Sequence, residues 1–259
     1  MMNREQKRMY RSITTQAIVI RRERIGEFHK SLSLLTADLG LINATAYGAY
    51  KPQSRLRLGS EPFTWSEAHL YHNPVRKSYK VMDLEIHASF EGLQADLSRL
   101  AAASLWAEIV QKSFGAGELT GGLFGLFRDS LRTLEHADPE RESYVTAQFL
   151  WRFLSLAGYQ PDLDACDSCG APLGERGPAW YAPRSHALLC AACGAHTGLP
   201  LPQGALRYLG ATQDMPLGTA AAVSMDESAR AALRDTLLGM VQSVLEGSLA
   251  SIPWMRAGR

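Results

Sequence analysis

All the cysteines of the chain lie in one stretch, "CDSCGAPLGERGPAWYAPRSHALLCAACG", residues 166–194, as two Cys-x-x-Cys-Gly knuckles with twenty residues between Cys169 and Cys190. A Cys-x-x-Cys turn lets two thiolates reach one metal at about 2.3 Å each, and two such turns complete a tetrahedron. Cys166, Cys169, Cys190 and Cys193 are therefore the predicted ligands of one structural Zn2+. Two thioredoxin-like redox pairs, or a set of inert thiols, are the competing readings; matched spacing with no cysteine left over favours zinc. His186 and His196 are near enough in sequence to replace a cysteine, but read more simply as exposed side chains. Gly170 and Gly194, one after each knuckle, are expected to supply backbone freedom for the turns. A closed four-sulfur shell has no open position for water or substrate, so this metal is expected to hold shape rather than do chemistry.

A chain of 259 residues has room for about two domains at roughly 100–200 residues each. The longest early apolar run, Ala17-Ile18-Val19-Ile20, is too short for a secretory segment or a membrane span. A reducing cytosol is the expected location, with no membrane partner, and there paired cysteines are metal ligands more often than disulfides. The net charge of +1 conceals an asymmetry: residues 1–80 have 14 Lys/Arg against 6 Asp/Glu, and residues 81–259 have 13 against 20. A basic first third points to a polyanionic partner.

Residues 14–22, 28–36, 41–50, 61–72 and 77–87 alternate apolar and polar positions between turn residues, so each reads as a half-buried strand. Leu32 and Leu34 share a face with Lys30, and Met82, Leu84 and Ile86 share one away from Asp83 and Glu85. Five short antiparallel strands predict an OB-fold barrel, a fold whose curved face commonly takes single-stranded nucleic acid. Candidate phosphate contacts are Arg21, Arg22, Arg24 and Lys30 around the first turn, Lys51, Arg55 and Arg57 in one loop with no acid, and Arg76, Lys77 and Lys80 at the last strand. Tyr47, Tyr50, Phe63, Trp65, Tyr71 and Tyr79 are candidate stacking surfaces, with Phe63 and Trp65 read as a core pair.

From about residue 90 the period turns helical. Leu93, Leu97, Leu100, Ser104 or Leu105, and Ile109 form one stripe, and Leu123, Phe127, Leu131 and Leu134 another. A third helix follows Asp138-Pro139 and ends at Gly158, and a last one starts at Ser224 with Glu227 at capping-box spacing. The expected organisation is α+β: a barrel domain at 1–88 and a helical domain at 89–259 carrying a zinc-finger insert at 165–197. No phosphate-binding loop, His-Glu-x-x-His, Gly-x-Ser-x-Gly or zinc-deaminase pattern is present, and "GAGELTGG" at 115–122 has glycines but no lysine. A binding protein, not an enzyme, is expected.

The Gly26-Glu27 turn, Thr36 with Gly40, the strand ending in a loop with Ser54-Arg55, "EPFTWSEAHLY", the helical segment and the cysteines occur in an order that resembles the bacterial RecO family of DNA repair proteins. The extension "MMNREQKRMYRS", with Arg4, Lys7, Arg8 and Arg11, precedes the family's usual start. The resemblance implies an N-terminal OB-fold, a helical C-terminal domain and, where the cysteines are kept, a zinc finger. It also implies a recombination mediator of the cytoplasm and nucleoid. Such a protein binds single- and double-stranded DNA, anneals complementary strands and contacts single-strand-binding protein. With RecR it helps place RecA on coated strands. An adaptor that mainly binds proteins, with a structural barrel, is the alternative. Arg176 and Arg184, between the knuckles, are possible further contacts.

Overall fold

The computed structural model describes residues 11–114, 122–174, 177–195 and 198–253. Arg4, Lys7 and Arg8, residues 115–121, Arg176 and His196 lie outside them.

Five strands, Ser12–Ile25 (β1), His29–Thr36 (β2), Gly40–Ala46 (β3), Trp65–Asn73 (β4) and Ser78–Ala88 (β5), close into a barrel in the order β1-β2-β3-β5-β4. All pairs are antiparallel except β3 with β5. This is the expected five-stranded, OB-like barrel. Its interior mixes small and large side chains: Ala17, Ala44, Ala46 and Ala68 beside Leu32, Leu34, Leu70 and Val81, all at most 2% exposed. Filling a narrow, tapered lumen calls for that mixture.

Two expectations fail here for identifiable reasons. The pairing on β5 skips from Asp83 to Val81, a bulge at Met82. A bulge moves every side chain beyond it to the other face, so Val81 and Leu84 point inward while Met82 is 55% exposed; Ile86 keeps the face of Leu84, beside Gly59, and is 43% exposed. Lys30 lies on the inward face with Leu32 and Leu34 and is fully buried. The sequence places it correctly on that face, but it is not a surface cation.

Between β3 and β4 the chain makes one helical turn, Leu56–Gly59 (α1), over β5, where Gly59 lies so close to Leu84 that a Cβ would sit 2.8 Å from the leucine Cβ. After β5 come Glu91–Gln94 (α2) and Leu97–Ser113 (α3). The single stripe expected from Leu93 to Ile109 is thus interrupted. Asp96 caps α3 by accepting from the Ser98 and Arg99 amides, and Leu97, just inside the cap, is 65% exposed. The chain divides into two compact units, one running to Ala95 and resuming up to Arg128, the other beginning at Asp96 and resuming at Asp129. The first division falls between α2 and α3, and Leu93 of α2 is fully buried.

Further helices are Leu123–Glu135 (α4), Glu142–Leu156 (α5), Gln203–Thr212 (α7), Leu217–Ala222 (α8) and Glu227–Val244 (α9), with the four-residue helix Ala191–Gly194 (α6) in the cysteine insert. Gly158 ends α5 with φ +76°. The cap of α9 is Asp226, whose carboxylate accepts from the Ala229 amide, not Ser224. In the second unit Trp106 stacks on Phe149 at 4.9 Å. No helix among the described residues is long and apolar enough to cross a membrane.

Candidate functional site

The cysteine insert is a small three-stranded sheet, Ala187–Leu189 (β7), Ala179–Ala182 (β6) and Leu199–Leu201 (β8), in the order β7-β6-β8. The first knuckle is tied by the Cys166 amide donating to Ala171 O and the Gly170 amide to Cys166 O, both 2.8 Å, and it meets β7 where the Asp167 amide reaches Leu188 O. In the second, Cys190 caps α6 and its carbonyl accepts from the Cys193 and Gly194 amides. The two knuckles thereby bring all four sulfurs within 4.8 Å of one another, with Cys169 and Cys190 Sγ 3.8 Å apart. A tetrahedron with metal–sulfur bonds of about 2.3 Å has edges of about 3.8 Å. The set fits one zinc ion.

Its electrostatics say the same. Burial opposes ionisation of Cys166, yet the amides of Cys190, Cys169 and Ser168 aimed at its sulfur bring its pKa down to about 6. Cys193 is pushed up to about 12 by the neighbouring Cys169 and Cys190 sulfurs. Crowded thiols cannot all ionise unless a cation shares the site. His186 is no ligand: it sits at the β6–β7 turn with φ +53°, its Nδ1 2.8 Å from Tyr181 Oη and its ring edge-on to Tyr159. Arg184, at the same turn, is exposed.

The knuckle glycines differ. Gly170 has φ +71° and open space around it, whereas a Cβ on Gly194 would lie 2.7 Å from Trp180 Cβ and 2.8 Å from Leu189 Cβ. One glycine serves conformation, the other close packing.

On the barrel, the predicted basic residues separate into two groups. Those of the first turn have partners of their own: Arg21 pairs with Glu23 at 2.8 Å, Arg22 with Glu61 at 2.9 Å, and Arg24 donates to Gly26 O and Glu27 O at 3.1 Å. Lys30 Nζ donates inside to Ser60 Oγ at 2.7 Å, Glu61 Oε1 at 2.9 Å and Arg57 O at 3.2 Å. It is withdrawn from the DNA-facing set, because a fully buried ammonium held by a carboxylate cannot reach a phosphate. Lys51, Arg55, Arg57, Arg76, Lys77 and Lys80 are exposed, and none has an acidic partner among the described residues.

Several of these cations lie over rings. Lys51 Nζ is 5.6 Å from the Phe28 ring centre, and Lys80 Nζ is 5.5 Å from that of Tyr47. Tyr47 is 53% exposed and Phe28 39%. His29 packs edge-on against Tyr47, and His72 stacks on Tyr79 at 4.8 Å. The segments are knit by the Tyr50 amide donating to Phe28 O and the Gly48 amide to His29 Nδ1. Parallel pairing puts Thr45 of β3 beside Lys80 of β5. Exposed rings next to unpaired cations provide the two elements that single strands need: flat faces for bases and charge for phosphates.

Two family models match the chain: "Recombination protein O N terminal" over residues 9–90 and "Recombination protein O C terminal" over 94–253. This chain belongs to the RecO family. Relatives named DNA repair protein RecO include that of Desulforudis audaxviator (strain MP104C), 30% identical over 93% of this chain and 95% of the relative. Those of Anaeromyxobacter sp. (strain K) and Pelotomaculum thermopropionicum are 32% and 31% identical, covering 90% and 92% of this chain and 92% and 91% of the relatives.

In this RecO-family chain the aromatic set differs from the sequence reading. Phe63 is core at 3% exposure. Trp65 is only half-buried and packs on His87 at 4.9 Å, so the expected core pair is half right. Tyr71 receives a hydrogen bond from Arg11. His29 and His72 are at the surface, as surface or strand-edge histidines are expected to be; Phe28 was not expected there, and its signal is its position directly after the Gly26-Glu27 turn, where an aromatic has no core to enter.

Proposed function

We propose that this chain is a non-catalytic recombination mediator that binds single- and double-stranded DNA and anneals complementary strands. With RecR it helps place RecA on strands coated by single-strand-binding protein, in the bacterial cytoplasm and nucleoid, with one structural Zn2+. The observation that carries the reading is the exposed set of Lys51, Arg55, Arg57, Arg76, Lys77 and Lys80 with Phe28 and Tyr47 on an OB-like barrel. Arg21, Arg22 and Arg24, already engaged, are marginal contacts that exchange internal partners for phosphates.

Annealing by such a surface needs no bond chemistry. Cations lower the repulsion between two strands and release counterions, and a chain holding both strands raises their effective concentration. The test is fluorescence anisotropy of labelled single strands against salt, with annealing of complementary strands in parallel. Affinity should fall steeply with salt, and Lys51→Ala with Lys80→Ala should weaken binding, reduce the salt slope and slow annealing. A flat salt response, or variants with wild-type binding and annealing, would refute the assignment.

A second reading, the protein-binding adaptor, is favoured by one feature of the helical unit. A cavity of about 420 Å³ is lined by Arg132, His136 and Arg141 as well as Asp138, Val145 and Ala222. This reading predicts capture of a protein partner by a chain that anneals nothing.

A further inference from the structure

On the outer face of the barrel β4 and β5 pair so that Glu67 lies directly opposite Glu85. Carboxylates facing each other across an antiparallel pair repel. Among the described residues neither has a Lys or Arg partner; both turn to His69, two positions along the same face of β4. His69 Nε2 is 3.2 Å from Glu85 Oε1 and 3.9 Å from Glu67 Oε1. Its other ring nitrogen, Nδ1, is 3.0 Å from Thr14 Oγ1 on β1, the strand residue registered opposite it. Asp83, opposite His69 on β5, adds negative charge, its Oδ1 accepting from the Leu84 amide.

A proton and a metal ion satisfy this arrangement differently. The Nε2–H of an imidazolium points along one line and serves one acceptor: Glu85 is within reach, and Glu67 at 3.9 Å is beyond hydrogen-bond range. A metal ion bound about 2.1 Å from each donor holds neighbouring donors about 3.0–3.4 Å apart and opposite ones about 4.2 Å apart. The three donor atoms already lie within 4.8 Å of one another. The Thr14 contact supplies what a metal-bound imidazole requires on its far side, a partner that fixes the ring and its tautomer.

We propose that Glu67, His69 and Glu85 form a second metal site on the barrel, for a divalent first-row transition ion of the Zn2+ type. The imidazole nitrogen selects such ions over Mg2+ and Ca2+, which prefer oxygen alone. Three protein donors leave positions open for water or for a phosphate oxygen. A bound dication also offsets the Glu67–Glu85 repulsion, converting a stretch of barrel that repels nucleic acid into one that does not.

The test uses full-length protein whose cysteine site is first filled with one equivalent of Zn2+, then titrated calorimetrically with more Zn2+. One further equivalent should bind, and imidazole-nitrogen NMR should show His69 Nε2 as the metallated atom. His69→Ala and Glu85→Gln should each weaken that second equivalent by about tenfold or more, and Thr14→Val by about tenfold, the usual effect of losing an orienting partner. Glu85 is 66% exposed in its side chain, so its replacement tests the site without endangering the fold. No second equivalent, or one of unchanged affinity in both His69→Ala and Glu85→Gln, overturns the proposal.

Discussion

The barrel and the cysteine insert hold their shapes by different means. In the barrel, Ala17, Val19, Leu32, Leu34, Ala46, Ala68 and Leu70 are all at most 1% exposed and come from strands hydrogen-bonded around a closed circuit. Between Cys166 and Gly194 the apolar interior amounts to little more than Ala179, Tyr181, Ala187 and Leu188, and two of the four sulfurs are exposed. Strands of three and four residues with so few buried apolar side chains contribute little burial of their own. Where buried apolar area is scarce, a metal held by the four sulfurs would substitute for it. The barrel should therefore respond to packing and charge, and the insert to whatever disturbs its sulfurs.

The largest expected effect breaks the insert alone. Structural zinc sites bind with about 10–16 kcal/mol in small modules, far more than four buried side chains provide. Cys166→Ser, or exhaustive chelation, should abolish zinc retention and erase hydrogen-exchange protection in β6 and β7 while that of the barrel strands persists. Protected β6 and β7 amides in zinc-free protein would show that packing suffices there after all.

The next effect probes Lys30, the one charged side chain that is buried among the described residues. Glu61→Ala leaves the Lys30 ammonium buried with Ser60, the Arg57 carbonyl and the Tyr50 ring but no carboxylate, and an orphaned buried charge costs about 3–5 kcal/mol. Lys30→Met removes the charge instead. Ser60 Oγ still donates to Arg57 O, and Glu61 keeps Arg22, so the loss should stay nearer the 1–3 kcal/mol of an unmet polar group. Chemical unfolding should rank Glu61→Ala as the more damaging; the reverse order would mean that Lys30 acts chiefly as a packed stem.

What sequence can and cannot convey follows from the same contrast. The four-cysteine cluster is legible because Cys-x-x-Cys is a local spacing rule, and the strands because alternation is local too. Lys30 was placed on the right face and given the wrong job, since its partner Glu61 lies 31 residues away and no local pattern announces it. The Met82 bulge is equally hidden, being a property of how β4 and β5 pair. Asp96 and Asp226 cap helices that sequence started elsewhere, because a capping residue declares itself only once the helix start is known. Of the nucleic-acid surface, the exposed cations were legible as charge clusters. Phe28 was missed because its exposure depends on the Gly26 turn holding it outside the core.

A smaller effect separates the two knuckle glycines. Gly194→Ala forces a Cβ to within 3 Å of Trp180 and Leu189 Cβ atoms, overpacking worth about 1–3 kcal/mol. Gly170→Ala meets no neighbour and bears only the left-handed backbone, about 1–2 kcal/mol. Gly170→Asn should restore much of that second loss, since asparagine tolerates αL, whereas no side chain relieves the first. Thermal unfolding and zinc affinity of these three variants and of Gly194→Asn measure the difference; equal rescue by Asn at both positions would contradict it.

The smallest effect returns to the helical unit at Asp96. Its carboxylate is held below the usual 3.8, first by the Arg99 amide, against a small desolvation cost, and further by Ser98. Because the folded pKa is depressed, the cap stabilises above pH 3.8 and the contribution is lost as pH falls through the folded value. Asp96→Ala should cost about 1 kcal/mol at neutral pH, as N-cap losses typically do, and Asp96→Asn much less, since its amide oxygen still accepts. Once pH has fallen below the depressed folded value, wild type and Asp96→Asn should converge in stability. A difference between them that persists into acid would show that the contribution of Asp96 does not come from its ionised carboxylate.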